Sequence, residues 1–147
     1  MKQPSIIGRR DFIKQSCLLC ASIAGLGTVV TQFSACAPMP VFKADVKDGQ
    51  LTVLKNSFTE KNKIVLVRNT KLEWDIALVK VSEMEYAALQ MKCTHLDNPL
   101  TATQNGFYCN SHGSSFNLSG KVTQEPAIND LKKYATTISN EEIIIQL

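Results

Sequence analysis

Histidine is nearly missing from this sequence: its 147 residues include two, His95 and His112. With no others, there is no general base outside this pair and no second site for a transition metal, and no serine or cysteine outside it stands out as a nucleophile. Tryptophan occurs once, at Trp74, and reads as a packing residue. No stretch keeps a long 3.6-residue apolar period, which excludes a helical bundle. No internal repeat or low-complexity tract is present. The longest strongly apolar run, Cys17 to Val30, is 14 residues, short of the roughly 18 that a membrane-spanning helix needs. Excess charge is also missing where it would matter. The net charge of +3 lies in the first 35 residues, where Lys2, Arg9, Arg10 and Lys14 face Asp11; from Cys36 onward 12 Lys/Arg meet 12 Asp/Glu. A nucleic-acid surface would need a clustered basic face, so that partner class is excluded. Five cysteines, at 17, 20, 36, 93 and 109, do not form a disulfide framework: two lie in the apolar leader and two stand beside the histidines.

The leader reads as an address. Arg9-Arg10-Asp11-Phe12-Ile13-Lys14 precedes an uncharged stretch from Gln15 to Phe42 and resembles a bacterial twin-arginine export signal. An ordinary secretory signal and an uncleaved anchor helix extended to Ala37 are the other readings. Phe33-Ser34-Ala35-Cys36 is similar to a lipobox, with Phe33 in place of the usual Leu-type residue, and this implies lipidation at Cys36. Acyl chains there would hold the protein to a membrane, since each buried CH₂ contributes about 0.8 kcal/mol. Cys17 and Cys20 are small apolar filler of the leader. Residues 1–35 are thus expected to be the export signal, 36–42 a tether and 43–147 the folded domain, on the periplasmic side of a bacterial membrane.

In the exported part, short runs rich in Val, Ile, Leu and aromatics recur: Val41–Val46, Leu51–Leu54, Ile64–Arg68, Ile76–Val81, Tyr86–Met91, Gly106–Cys109, Ala135–Ser139 and Ile143–Gln146. Turn signals such as Lys47-Asp48-Gly49 and Gln104-Asn105-Gly106 separate them. The spacing predicts an all-β sandwich or barrel.

The chemistry sits in Cys93-Thr94-His95 and Cys109-Asn110-Ser111-His112, with 13 residues between His95 and Cys109. Two thiolates and two imidazoles can bind zinc, but the common zinc-finger order places both cysteines before both histidines. One Cys and one His on each turn suits an object with two metal positions. The runs CTHL and CNSHGSSF resemble the two cluster-binding loops of the Rieske [2Fe–2S] family, in which two histidines replace two cysteines on one iron. Gly120, Pro126-Ala127, Leu131 and Tyr134 are similar to that family's third loop and returning strands. The resemblance spans roughly residues 41–147. It implies an antiparallel Rieske-type β-sandwich with a small cluster-binding subdomain, one [2Fe–2S] cluster per chain, Cys93, His95, Cys109 and His112 as ligands, and Ser114 as hydrogen-bond donor to a bridging sulfide.

Charge counting says what the histidines would accomplish. Two ferric ions, two sulfides and two thiolates sum to about zero when the imidazoles are neutral, roughly two units above an all-thiolate site, so reduction is easier. Loss of an outer imidazole proton in the ferric state would make the potential fall as pH rises. Many quinol-oxidising relatives carry two further cysteines that tie the loops by a disulfide. At those places stand Asn98 and Ser111, so no bridge forms, and either a hydrogen bond between them replaces it or both face solvent. Phe116 stands where high-potential members have a tyrosine donating to a cysteine sulfur. An intermediate potential follows.

The expected function is one-electron transfer by an exported, membrane-associated protein that is not a complete enzyme alone, its partner a redox protein or a quinol. The alternatives are a Rieske subunit of a quinol-oxidising cytochrome complex or of an arsenite-oxidase-like oxidoreductase and, from another class, a zinc-binding or structural β module.

Overall fold

The computed structural model describes residues 39–147. They form thirteen strands: β1 (Val41–Lys43), β2 (Val46–Lys47), β3 (Gln50–Leu54), β4 (Ile64–Arg68), β5 (Ile76–Ser82), β6 (Glu85–Gln90), β7 (Thr101–Thr103), β8 (Gly106–Tyr108), β9 (Ser115–Phe116), β10 (Val122–Gln124), β11 (Lys133–Tyr134), β12 (Thr136–Ser139) and β13 (Glu142–Gln146). Among the described residues no helix is long and apolar enough to cross a membrane. The twin-arginine pair, Cys17, Cys20 and Cys36 lie outside the described residues.

Three sheets result. One has the order β1-β4-β5-β6-β11, a second β12-β13-β3-β2, and a third, small one β10-β9-β8-β7. The first sheet is buried on both faces, and its sequence shows why. In β4, Val65 and Val67 join one core cluster with Leu51 and Val53 of β3 and Ile143 and Ile145 of β13. Ile64 of the same strand faces the opposite cluster, with Phe107 of β8 and Phe116 of β9. In β5, Ile76 and Leu78 turn one way, Ala77 and Val79 the other. Strands covered on both sides read as continuous apolar runs instead of alternating ones, as Ile64–Val67 and Ile76–Val79 do. Each such side chain contributes about 1.5–3 kcal/mol on burial. The sandwich expected from the sequence is therefore the β3/β13 sheet against the β4/β5 sheet, and the small sheet lies on the far face of the latter.

Two predicted strands break where the chain passes between sheets. The run Val41–Val46 divides into β1, which pairs with β4, and β2, which pairs with β3. Ala135–Ser139 starts within a longer segment in which β11 pairs with β6 and β12 with β13. The tether assigned to 36–42 also gives its last residues to the domain: Val41 pairs with Leu66 and Phe42 with Val67. A backbone with a sheet edge beside it forms ladder bonds that a free linker cannot.

Candidate metal centre

The two motif loops are backbone copies of each other. In the first, the Cys93 N–H donates to the Asn98 carbonyl (2.8 Å) and the Asp97 N–H to the Cys93 carbonyl (3.0 Å). In the second, the Cys109 N–H donates to the Ser114 carbonyl and the Gly113 N–H to the Cys109 carbonyl, both at 2.9 Å. The residue four beyond each cysteine lies in the left-handed region, Asp97 at φ 48° and Gly113 at φ 85°. Asp is among the few non-glycine residues that adopt this conformation readily, so one loop closes with Asp and the other with Gly. A bridge between Lys92 and Pro99 closes the base of the first loop, and β8 and β9 carry the second. Gly106, where β8 begins, is fixed by sterics, since a Cβ there would meet the Phe116 carbonyl oxygen at 2.2 Å.

The four predicted ligands come together as two like pairs. Cys93 and Cys109 are both buried, neither is in a disulfide, and they share one buried cluster of side chains. The rings of His95 and His112 meet edge to face with centroids 5.1 Å apart. His112 is exposed and His95 half-buried. Among the described residues no three His, Cys, Asp or Glu side chains group as ligands of one ion. The arrangement offers two thiol and two imidazole donors, two by two.

Two details test whether an iron–sulfur group fits. The Nδ1 atom of His95 is buried without a hydrogen-bond partner, and such a group costs about 1–3 kcal/mol unless something accepts its lone pair or proton; a metal ion does so. The Cys109 sulfur, for its part, is prepared for negative charge. Burial would push its thiol pKa up, but hydrogen bonds from the backbone N–H groups of Ser111 and His112, from Cys93 and from the Ser111 hydroxyl outweigh burial and hold it below the ordinary thiol value. These residues fit the group.

Ser114 is completely buried, the one buried polar residue among those described. Its Oγ accepts the Ala127 N–H at 3.0 Å, which leaves its own proton to donate. Phe116 is buried in the cluster of side chains that includes Cys93, Cys109 and Phe107. No Asn98–Ser111 bond forms: the Asn98 amide donates to the Leu96 carbonyl at 2.9 Å within its own loop, while Ser111 is exposed.

Other contacts escaped the sequence reading. Thr94 Oγ1 donates to the Asn129 carbonyl at 2.6 Å, tying the first loop to the third, which enters through a cis Glu125–Pro126 bond. Asn110 Nδ2 donates to Thr101 Oγ1 at 2.8 Å. Lys92 and Asp97 form an ion pair at 2.9 Å. Leu96, next to His95, is 59% exposed, and Ile128, next to Asn129 on the third loop, 83%. Nothing in the spacing of single residues reveals these; Thr94, next to both motif residues of its loop, was the one legible signal.

The family model described as the Rieske [2Fe–2S] domain matches residues 39–135. Among solved structures, the cyanobacterial plasma membrane Rieske protein PetC3 from Synechocystis PCC 6803 is 26% identical, with a TM-score of 0.48 over 67% of this chain and 87% of that one. A chain from the complex of reduced oxygenase and oxidized ferredoxin in carbazole 1,9a-dioxygenase is 20% identical, with a TM-score of 0.53 over 68% of this chain and 94% of that one, a likeness of fold. No curated protein matches the sequence.

Proposed function

This chain belongs to the Rieske [2Fe–2S] domain family, whose domains bind a [2Fe–2S] cluster and transfer electrons, and from that premise we propose that it is an exported, membrane-anchored one-electron carrier. In this reading Cys93 and Cys109 would hold one iron and His95 and His112 the other, and the Ser114 hydroxyl would donate a hydrogen bond to a cluster sulfide. The bound cluster supplies reversible uptake of a single electron. The chain's residues supply the rest. Backbone donors stabilise thiolate charge, Phe107, Phe116 and Leu100 keep water from the sulfurs, and the exposed His112 edge gives the electron a short way out.

The observation that carries the reading is the pairing of like with like, two cysteines in one buried cluster and two imidazoles edge to face, on two loops of the same backbone design. A tip this poor in charge suits a redox partner met through apolar contact: the loops 93–100 and 109–118 contain one charged residue, Asp97, and it is paired with Lys92. Export and anchoring rest on the leader, with its arginine pair and Cys36.

Anaerobic purification of the full chain should give two irons and two sulfides per polypeptide and an EPR signal on reduction. A colourless protein holding one zinc ion sinks the reading. Mass spectrometry of the mature N-terminus tests Cys36, where a diacylated cysteine is expected.

A further inference from the structure

The first loop closes with an aspartate where the second closes with a glycine. Asp97 and Gly113 each stand four residues beyond their cysteine, and each lies in the left-handed region, at φ 48° and 85°. Glycine takes that conformation without steric cost and aspartate does not, so backbone geometry alone favours glycine at both places. What the carboxylate gains is a partner. Lys92, the residue before Cys93, forms an ion pair with it at 2.9 Å, the lysine side chain 29% and the aspartate 71% exposed. The Lys92 ammonium also stands 5.9 Å from the centre of the Trp74 ring, within reach of a cation–π attraction, and Trp74 belongs to the connection from β4 to β5. The pair therefore brackets Cys93 and His95 in the chain, and its basic end is attached to the body of the domain. Backbone bonds join the same stretch, from the Cys93 N–H to the Asn98 carbonyl and from the Asp97 N–H to the Cys93 carbonyl.

We propose that Lys92 and Asp97 are positioning residues for electron transfer: their ion pair is a strap that holds the His95 loop in one shape and cancels the one carboxylate of the two motif loops. Its effect on electron transfer rests on the cluster reading above; the strap itself rests on the ion pair. A ligand loop that keeps its shape keeps its imidazole in place in both oxidation states. Charge is the second part. An unpaired carboxylate two residues from His95 opposes an added electron, and the lysine offsets it. Fully exposed ion pairs contribute little because two long side chains must be ordered to form them. Here the Lys92 side chain is partly enclosed and already placed against Trp74, so less order is lost on pairing. No bond is made or broken and no proton moves; the electron comes from the redox partner.

Four full-length variants test this: Asp97→Gly, Asp97→Asn, Lys92→Met and Lys92→Arg. The first readout is hydrogen–deuterium exchange of the peptide spanning residues 93–98, followed by mass spectrometry. Glycine suits the left-handed backbone better than aspartate, so if backbone conformation alone closes the loop, Asp97→Gly exchanges as slowly as the parent or more slowly. The strap requires the opposite: exchange about two- to fivefold faster in Asp97→Gly, Asp97→Asn and Lys92→Met, on the scale of a partly exposed ion pair, with Lys92→Arg at the parent rate. The second readout is a spectroelectrochemical titration. At a fixed ambient potential Asp97→Asn should move the oxidised-to-reduced ratio about two- to fivefold toward reduced and Lys92→Met by a similar factor toward oxidised, while Lys92→Arg titrates with the parent. Slow exchange in Asp97→Gly or in Lys92→Met overturns the strap, and shifts of one direction in Asp97→Asn and Lys92→Met overturn the charge balance. A parent protein without a [2Fe–2S] signal overturns the cluster reading instead, and the exchange rates still decide the strap.

Discussion

The Ser114 hydroxyl oxygen accepts the Ala127 backbone N–H at 3.0 Å, thirteen residues along the chain and on another loop. One buried atom thereby joins the second motif loop to the third while its proton stays available. Ser114→Ala removes both functions. The orphaned Ala127 N–H should cost about 1–3 kcal/mol of stability, read as a lower midpoint in thermal unfolding. Voltammetry should show a lower reduction potential in the same variant, because a donor to the cluster is lost. A potential equal to the parent's would show that the proton goes elsewhere.

Phe116→Tyr should act in the opposite direction. Phe116 is 2% exposed and packs in the same cluster of side chains as Cys93 and Cys109, so a hydroxyl added to its ring enters a sulfur-lined, water-poor space. A hydrogen bond to a charged acceptor there is worth about 1.5–3 kcal/mol, and the potential should rise. If the tyrosine variant binds its cluster at the parent potential, the ring edge does not point toward sulfur.

The Cys109 thiol gives the metal-free protein a pH dependence of definite sign. Burial opposes ionisation, but the Ser111 and His112 N–H groups, Cys93 and the Ser111 hydroxyl lower the pKa in the folded state. Between the folded value and the ordinary thiol value of about 8.5 the unfolded chain binds more protons, so stability increases with pH. That contribution is complete above the unfolded value and is lost as pH falls through the folded one. Denaturant titrations of metal-free protein should show this rise, and Cys109→Ser should flatten it.

Charge at the tip predicts kinetics. With Asp97 neutralised by Lys92, Leu96 exposed next to His95 and Ile128 exposed on the third loop, small oxidants should not be steered by long-range fields. Stopped-flow oxidation by ferricyanide and by a tripositive cobalt chelate should both depend weakly on ionic strength. Opposite, steep salt slopes for the two oxidants would reveal a charged tip. Ile128→Asp should introduce such slopes without changing the cluster's EPR spectrum.

A sequence is most legible where chemistry is local. Cys93, His95, Cys109 and His112 were legible because few side chains ligate metals and these four are crowded into two short runs. The long strands β3, β4, β5, β6 and β13 were legible because burial requires runs of Val, Ile and Leu. Several short strands were not. Thr101–Thr103, Ser115–Phe116 and Val122–Gln124 are two or three residues long, too short for a period, and they become strands by pairing with neighbours distant in sequence. The breaks at Ala44–Asp45 and Ala135 were hidden for a related reason: changing sheets is a property of the sandwich, and a continuous apolar run carries no mark of it.

Composition and spacing alone determined that this chain is an all-β protein with its two histidines beside two cysteines, since residue type limits both what can be buried and what can ligate a metal. Tertiary structure decided how the site is held. It set cysteine against cysteine and histidine against histidine, and gave Ser114 a partner on a third loop. Those contacts join residues from separate loops, and only the packed sheets beneath them fix the distances over which hydrogen bonds act.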